Sequence, residues 1–190
     1  MTNSLLKKQI EVFFFNPQNS IQPPNDYGVL YLLRRDIYRC LGYNTVTWSI
    51  DRESIIWPGA MTVLAGIDLL GKFYKGDDSI KGVGQRFKDY YDEYIDNQHS
   101  EIIYQLRNSL LHSFGLSSKT KTKTYSFTVS ASRDRLVEQY SETSYKIDLY
   151  SLWDRFEESI EKYKNDLQSN DLLKTKFEKM FKFYGAVRIE

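Results

Sequence analysis

The amino-acid sequence predicts a mainly α-helical protein, an antiparallel helical bundle carrying a small inserted β-hairpin or meander. Three observations lead there. Apolar residues recur at helical spacing through most of the chain. Three such segments follow one another between residues 57 and 115 through short connections, which favours antiparallel neighbours. The apolar period switches to two only between about 124 and 150.

Taken in order, residues 4–15 predict a first helix with Asn3 or Ser4 as cap, and residues 16–25 (NPQNSIQPPN) a polar, proline-bearing linker. A second helical pattern spans 26–41 through Val29, Leu32, Leu33, Ile37, Cys40 and Leu41, and Gly42 ends it. Residues 43–56 are irregular, with an extended stretch around Val46 to Ile50. Residues 1–56 therefore read as accessory helices and linker, and 57–190 as the main helical domain.

Trp57-Pro58-Gly59 opens that domain, with Pro58 in the first turn, where a missing N–H costs nothing. The helix runs to Tyr74 and is apolar nearly all round (Met61, Val63, Leu64, Ile67, Leu69, Leu70, Phe73), as a helix buried on several sides must be. After a turn at 75–78, residues 83–97 carry Phe87, Tyr90, Tyr91, Tyr94 and Ile95 on one face. The third helix, within EIIYQLRNSLLHSFGL (101–116), stops at Gly115 and stripes one face with Ile103, Leu106, Leu110 and Phe114. Tyr125, Phe127, Val129 and Ala131 then alternate, as do Tyr145, Ile147 and Leu149, with a short strand around 136–140 between them. A last long helix begins near Leu149 and keeps its spacing to Leu167; Leu172 to Tyr184 continue it or form another segment.

Composition narrows the function classes. With 26 basic and 25 acidic residues the net charge is +1, so polyanion contact would need a local patch. The single cysteine, Cys40, has no disulfide partner and lies in an apolar helical pattern. No apolar run approaches the roughly 20 residues of a membrane span, and no cleavage site follows the N-terminal run, so a cytoplasmic protein is expected. Phosphate-binding glycine loops, nucleophile elbows and the usual zinc spacings are absent, although scattered Asp68, Asp89, Asp92 and Asp96 leave a carboxylate-only Mg²⁺ site open. No cofactor is expected.

What remains is Arg107-Asn108-x-x-x-His112 at the end of the third helix. Asn108 and His112 share a face with Tyr104 and Leu111, opposite the apolar stripe, while Arg107 and His112 lie about 140° apart on an ideal helix. One chain alone should therefore not aim both at one point; a two-fold dimer would. An arginine fork matches phosphate oxygens and a histidine titrates near neutrality, a pair able to hold a phosphate and move a proton. The plainer alternative is a basic pair that compensates the helix dipole and satisfies end carbonyls.

On these residues the chain resembles the HEPN superfamily, whose motif is Arg, four to six residues, then His, with a polar residue after the arginine; the likeness spans roughly 58–167. The resemblance implies a metal-independent endoribonuclease that dimerises to bring two motifs into one cleft, or a non-catalytic RNA-binding or protein-interaction module. It further implies a prokaryotic toxin–antitoxin or phage-defence setting, with an antitoxin or other protein as partner. In one toxin group a Tyr stands two residues after the His; here Phe114 does, so the likeness does not extend to modification of that position. Arg107, Asn108 and His112 are the catalytic candidates. Secondary candidates are Lys119, Lys121 and Lys123 as a phosphate track or a solvated edge, Tyr104 as a base-stacking or dimer-seam residue, Asp68 as a brace for Arg107 or an exposed acid, and His99 as a capping or surface residue.

Overall fold

The computed structural model describes residues 3–19 and 26–188; residues 20–25 of the expected linker (16–25) lie outside them. The described chain is mainly helical with a small sheet: α1 (Asn3–Phe13), α2 (Val29–Cys40), α3 (Ile56–Lys75), α4 (Val83–Tyr94), α5 (Ser100–Ser113), α6 (Leu149–Ser169) and α7 (Asp171–Tyr184). Strands β1 (Asp26–Gly28) and β6 (Ala186–Arg188) pair antiparallel, while β2 (Ser117–Lys119), β3 (Thr124–Ser130), β4 (Val137–Gln139) and β5 (Ser144–Asp148) form a second sheet. Among the described residues no helix is long and apolar enough to cross a membrane.

α3 is the central element because its sequence leaves it no polar side. Ala60, Val63, Leu64, Ile67, Leu70 and Phe73 are all buried, and α2, α4, α5, α6 and α7 pack around it. Gly71 permits a close backbone crossing: a Cβ there would lie 2.9 Å from the Arg86 carbonyl oxygen of α4. The helix closes at Gly76, whose φ of 66° is the left-handed conformation that glycine adopts without penalty. Asn170 ends α6 and caps α7, its side chain accepting from the Leu173 N–H, so the two C-terminal segments are separate helices.

Packing directions depart from the expected antiparallel succession. α4 and α5 do retrace each other, with Gly84 against Tyr104 and Lys88 bonded to Glu101. Between α3 and α4, however, Gly71 meets Arg86 while Tyr74 meets Tyr90 and Tyr94, so the contacts advance together. α3 and α6 also run the same way, Gly59 facing Leu149 and Gly66 facing Phe156.

Residues 1–56, expected as an accessory region, supply part of the same core. Phe13 packs tilted against Phe73 of α3, ring centres 4.3 Å apart, and meets Phe177 of α7 edge-on at 5.4 Å. Tyr38 of α2 sits edge-on to Trp153 of α6 at 5.0 Å. Arg34, only 2% exposed, forms a two-pronged ion pair with Glu157 of α6, and burial together with that carboxylate pushes the Tyr38 hydroxyl up to about 12.

The sheet is neither a hairpin nor a meander. Its order is β2-β3-β5-β4, and β3 pairs with β5 in parallel because β5 inserts between β3 and β4. Tyr125, Phe127, Tyr145 and Ile147 turn inward from it, as alternation requires. Asp148 joins sheet to helix: wholly buried, it accepts from Ser130 Oγ and from the N–H groups of Ser132, Arg133 and Ser151, the last capping α6. Burial alone would raise its carboxyl; those hydrogen bonds outweigh it and hold the group below the usual range.

Candidate functional site

α5 is placed by its apolar stripe. Ile103, Leu106 and Leu110 are fully buried, and Ser109 returns its hydroxyl to the Leu106 carbonyl. Phe114, expected as the fourth member of the stripe, is instead 72% exposed. The helix ends at Ser113, and Phe114, not Gly115, takes the left-handed conformation, with φ 48°. Gly115 follows, donating its N–H to the Ser109 carbonyl at 3.1 Å. A bulky side chain in that conformation is strained by roughly 1–2 kcal/mol.

Arg107 leaves the helix between its two faces and reaches Asp68 on α3. Its Nε donates to Asp68 Oδ2 at 2.9 Å, and Nη2 donates to the same oxygen. Nη1 donates to Asn108 Oδ1 at 3.2 Å and lies 2.7 Å from His112 Nε2. A guanidinium can only donate, so in this contact His112 Nε2 is the acceptor. Four of the five N–H groups of Arg107 are therefore engaged.

This contact overturns the expectation that one chain could not bring Arg107 and His112 together. The angular count compares Cα–Cβ directions, whereas the long arginine side chain runs toward the helix end and spans the gap. The cluster is graded in exposure: the Arg107 and Asp68 side chains are 12% and 19% exposed, whereas His112 lies at the surface. The carboxylate is inboard, the imidazole outboard, and the guanidinium joins them.

No family model, curated protein or solved structure matches this chain.

The secondary candidates separate. Tyr104, partly buried, packs within the chain, its ring 5.5 Å from Phe87 and against Gly84. Lys119 and Lys121 are exposed around the β2–β3 turn. Lys123 turns away from them, donating to Tyr145 Oη at 2.6 Å and lying over the Tyr125 ring; its ammonium is held charged chiefly by that hydrogen bond. The three lysines thus do not form one phosphate track. His99 precedes α5 without capping it and pairs with Asp96 through Nδ1.

Four features escaped the sequence. Arg34–Glu157 joins residues 123 apart, a distance no local pattern spans. Gln105, 6% exposed, accepts from Ser118 Oγ and donates to Glu101, fastening the sheet to α5. His99 and Asp96 border a cleft of about 650 Å³ with Arg135 and Arg155, and a recess of about 720 Å³ lies beside α1. Neither is lined by Arg107, Asn108 or His112. Among the described residues no group of three or more His, Cys, Asp or Glu gathers as a metal site.

Proposed function

We propose that this chain is a metal-independent, HEPN-like endoribonuclease acting through Arg107 and His112, with a second copy of the chain covering the site. The observation that carries the reading is the Asp68–Arg107–His112 chain at the surface end of α5. Asp68 fixes the guanidinium plane through two donors and leaves the Nη1 edge facing outward, the part that would meet a phosphate. Metal-free cleavage needs a proton acceptor for the ribose 2′-OH, charge stabilisation on the phosphorane, and a proton for the departing 5′ oxygen. Displacing His112 from Nη1 would supply two of these at once: a free Nε2 lone pair to take the 2′-OH proton and two free N–H groups for the phosphoryl oxygens.

In the isolated chain Arg107 is nearly saturated by its own neighbours, so this arrangement is read as a resting state that substrate or a second subunit opens. Purified protein in EDTA should cut single-stranded RNA and leave 2′,3′-cyclic phosphate and 5′-hydroxyl ends, and Arg107→Ala or His112→Ala should abolish cutting while keeping the fold. Cutting unaffected by both substitutions would falsify the assignment.

A second reading, a non-catalytic interaction module, is favoured by one observation: Phe114 projects beside His112 at 72% exposure on a strained backbone. It requires no RNase activity and loss of self-association or partner binding in Phe114→Asp.

A further inference from the structure

We propose that a separate recess, walled by Tyr27, Tyr31, Arg35, Arg39 and Trp48, binds a nucleotide, one base against the aromatic rings and its phosphate against the arginines. It does not rest on the cleavage reading, because binding there needs neither Arg107 nor His112.

The recess lies between the start of α2 and the irregular 43–55 segment and measures about 250 Å³. That is below the roughly 300–1,000 Å³ of pockets that enclose drug-sized ligands, so it suits one flat ring system with the remainder at the rim. Its walls are of the matching kind. Tyr27 and Tyr31 stack at 6.0 Å with their planes 27° apart, and Tyr31 abuts Phe15 edge-on. Trp48 also lines the recess, and its backbone holds φ 55°, a conformation that bulky residues rarely adopt. Asn44 builds that turn: its carbonyl accepts from the Trp48 N–H, and its side-chain oxygen from the N–H groups of Val46 and Thr47. The Trp48 ring is then fixed edge-on against Tyr38 at 5.2 Å. A strained backbone that positions a half-buried indole at the mouth of a recess is what a stacking platform needs.

The charges agree. Arg35 and Arg39 are one turn apart on α2 and share a single carboxylate, Asp36, leaving a net positive rim. Arg35 holds Asp36 at 2.8 Å, whereas Arg39 is half exposed and has only long contacts among the described residues, 3.8 Å to Asp36 and 3.4 Å to Thr45 Oγ1. Its planar fork can turn onto a phosphate without breaking a good hydrogen bond. Three aromatic rings with two guanidiniums select a base carrying a phosphate over a purely anionic or purely apolar ligand.

The same chemistry comes from a free nucleotide or from a residue of an RNA strand, and one experiment separates them. Full-length protein is titrated into a fluorescent 2′-O-methyl RNA oligonucleotide, which 2′-OH chemistry cannot cut, with 5′-AMP as competitor. Binding is expected, weakened about tenfold or more by Arg39→Glu and by Tyr31→Ala, with thermal melting checked in parallel. Trp48→Phe, which keeps an aromatic face against Tyr38, is expected to retain most of it. Displacement by AMP identifies a free-nucleotide site; strand binding that AMP does not displace identifies a strand subsite. Absence of binding to both probes, or full affinity in either Arg39→Glu or Tyr31→Ala, overturns the proposal. Arg107→Ala should lose cleavage and keep the decrement caused by Arg39→Glu, so either reading can fail without the other.

Discussion

Two arginine–carboxylate pairs join distant parts of this chain, and they differ in what surrounds the guanidinium. Arg34 reaches Glu157 across 123 residues and Arg107 reaches Asp68 across 39; both grip the carboxylate through Nε and a terminal nitrogen. Arg34 is walled in at 2% exposure, with the Phe15 carbonyl as its further neighbour. Arg107 turns its remaining edge to Asn108 and to a surface imidazole. An ion pair whose guanidinium is buried against backbone can only stitch helices together. One that ends on a titratable group at the surface has a proton and a charge to offer.

Removing the partner carboxylates should break the comparison most visibly. Glu157→Ala strands a buried guanidinium and should cost about 3–5 kcal/mol, toward the lower figure because Glu157 itself is 21% exposed; chemical denaturation reads it directly. Asp68→Ala should cost less, about 1–3 kcal/mol, since Arg107 keeps access to water, but it should abolish RNA cutting by releasing the guanidinium plane. Equal stability losses would mean that the two pairs do the same job.

Asp148 sharpens the contrast from another side, as a buried carboxylate satisfied entirely by hydrogen bonds. Asp148→Asn should lose about 0.5–2 kcal/mol at neutral pH through the weakened cap. Because the folded-state carboxyl is held below its ordinary value, its ionisation favours folding above that value, and the contribution fades as the pH falls through the folded pKa. The gap between Asp148→Asn and wild type should therefore narrow below about pH 3.9 in acid-denaturation curves. Smallest in expected size is Phe114→Gly, which relieves a left-handed backbone at an exposed position and should stabilise the chain by about 0.4–1 kcal/mol, measurable as a raised melting temperature.

Much of the helical frame was legible because it rests on local patterns. The stripe Ile103, Leu106, Leu110 and the all-round apolar α3 follow from spacing, and Asp68 was conspicuous as an acid in that apolar run. What depends on pairing between distant residues was not legible. β5 inserts between β3 and β4, a choice that alternation cannot express, and the Phe13 contacts that draw the N-terminal region into the core join rings far apart in the chain. At the motif itself the spacing singled out Arg107, Asn108 and His112, which the structure brings into contact, while the angular count misjudged what a long side chain can span. Propensity likewise assigned the left-handed position to Gly115, and the chain places Phe114 there.

The most direct measurement is the rate of single-stranded RNA cutting in EDTA by Arg107→Lys, taken beside its thermal melting. Lysine keeps the positive charge and can still salt-bridge Asp68, but it lacks the planar fork that joins carboxylate, amide, imidazole and phosphate. The expected result is near-wild-type melting with cutting reduced by about 100-fold or more. Cutting at the wild-type rate by a well-folded Arg107→Lys would contradict a catalytic role for the guanidinium.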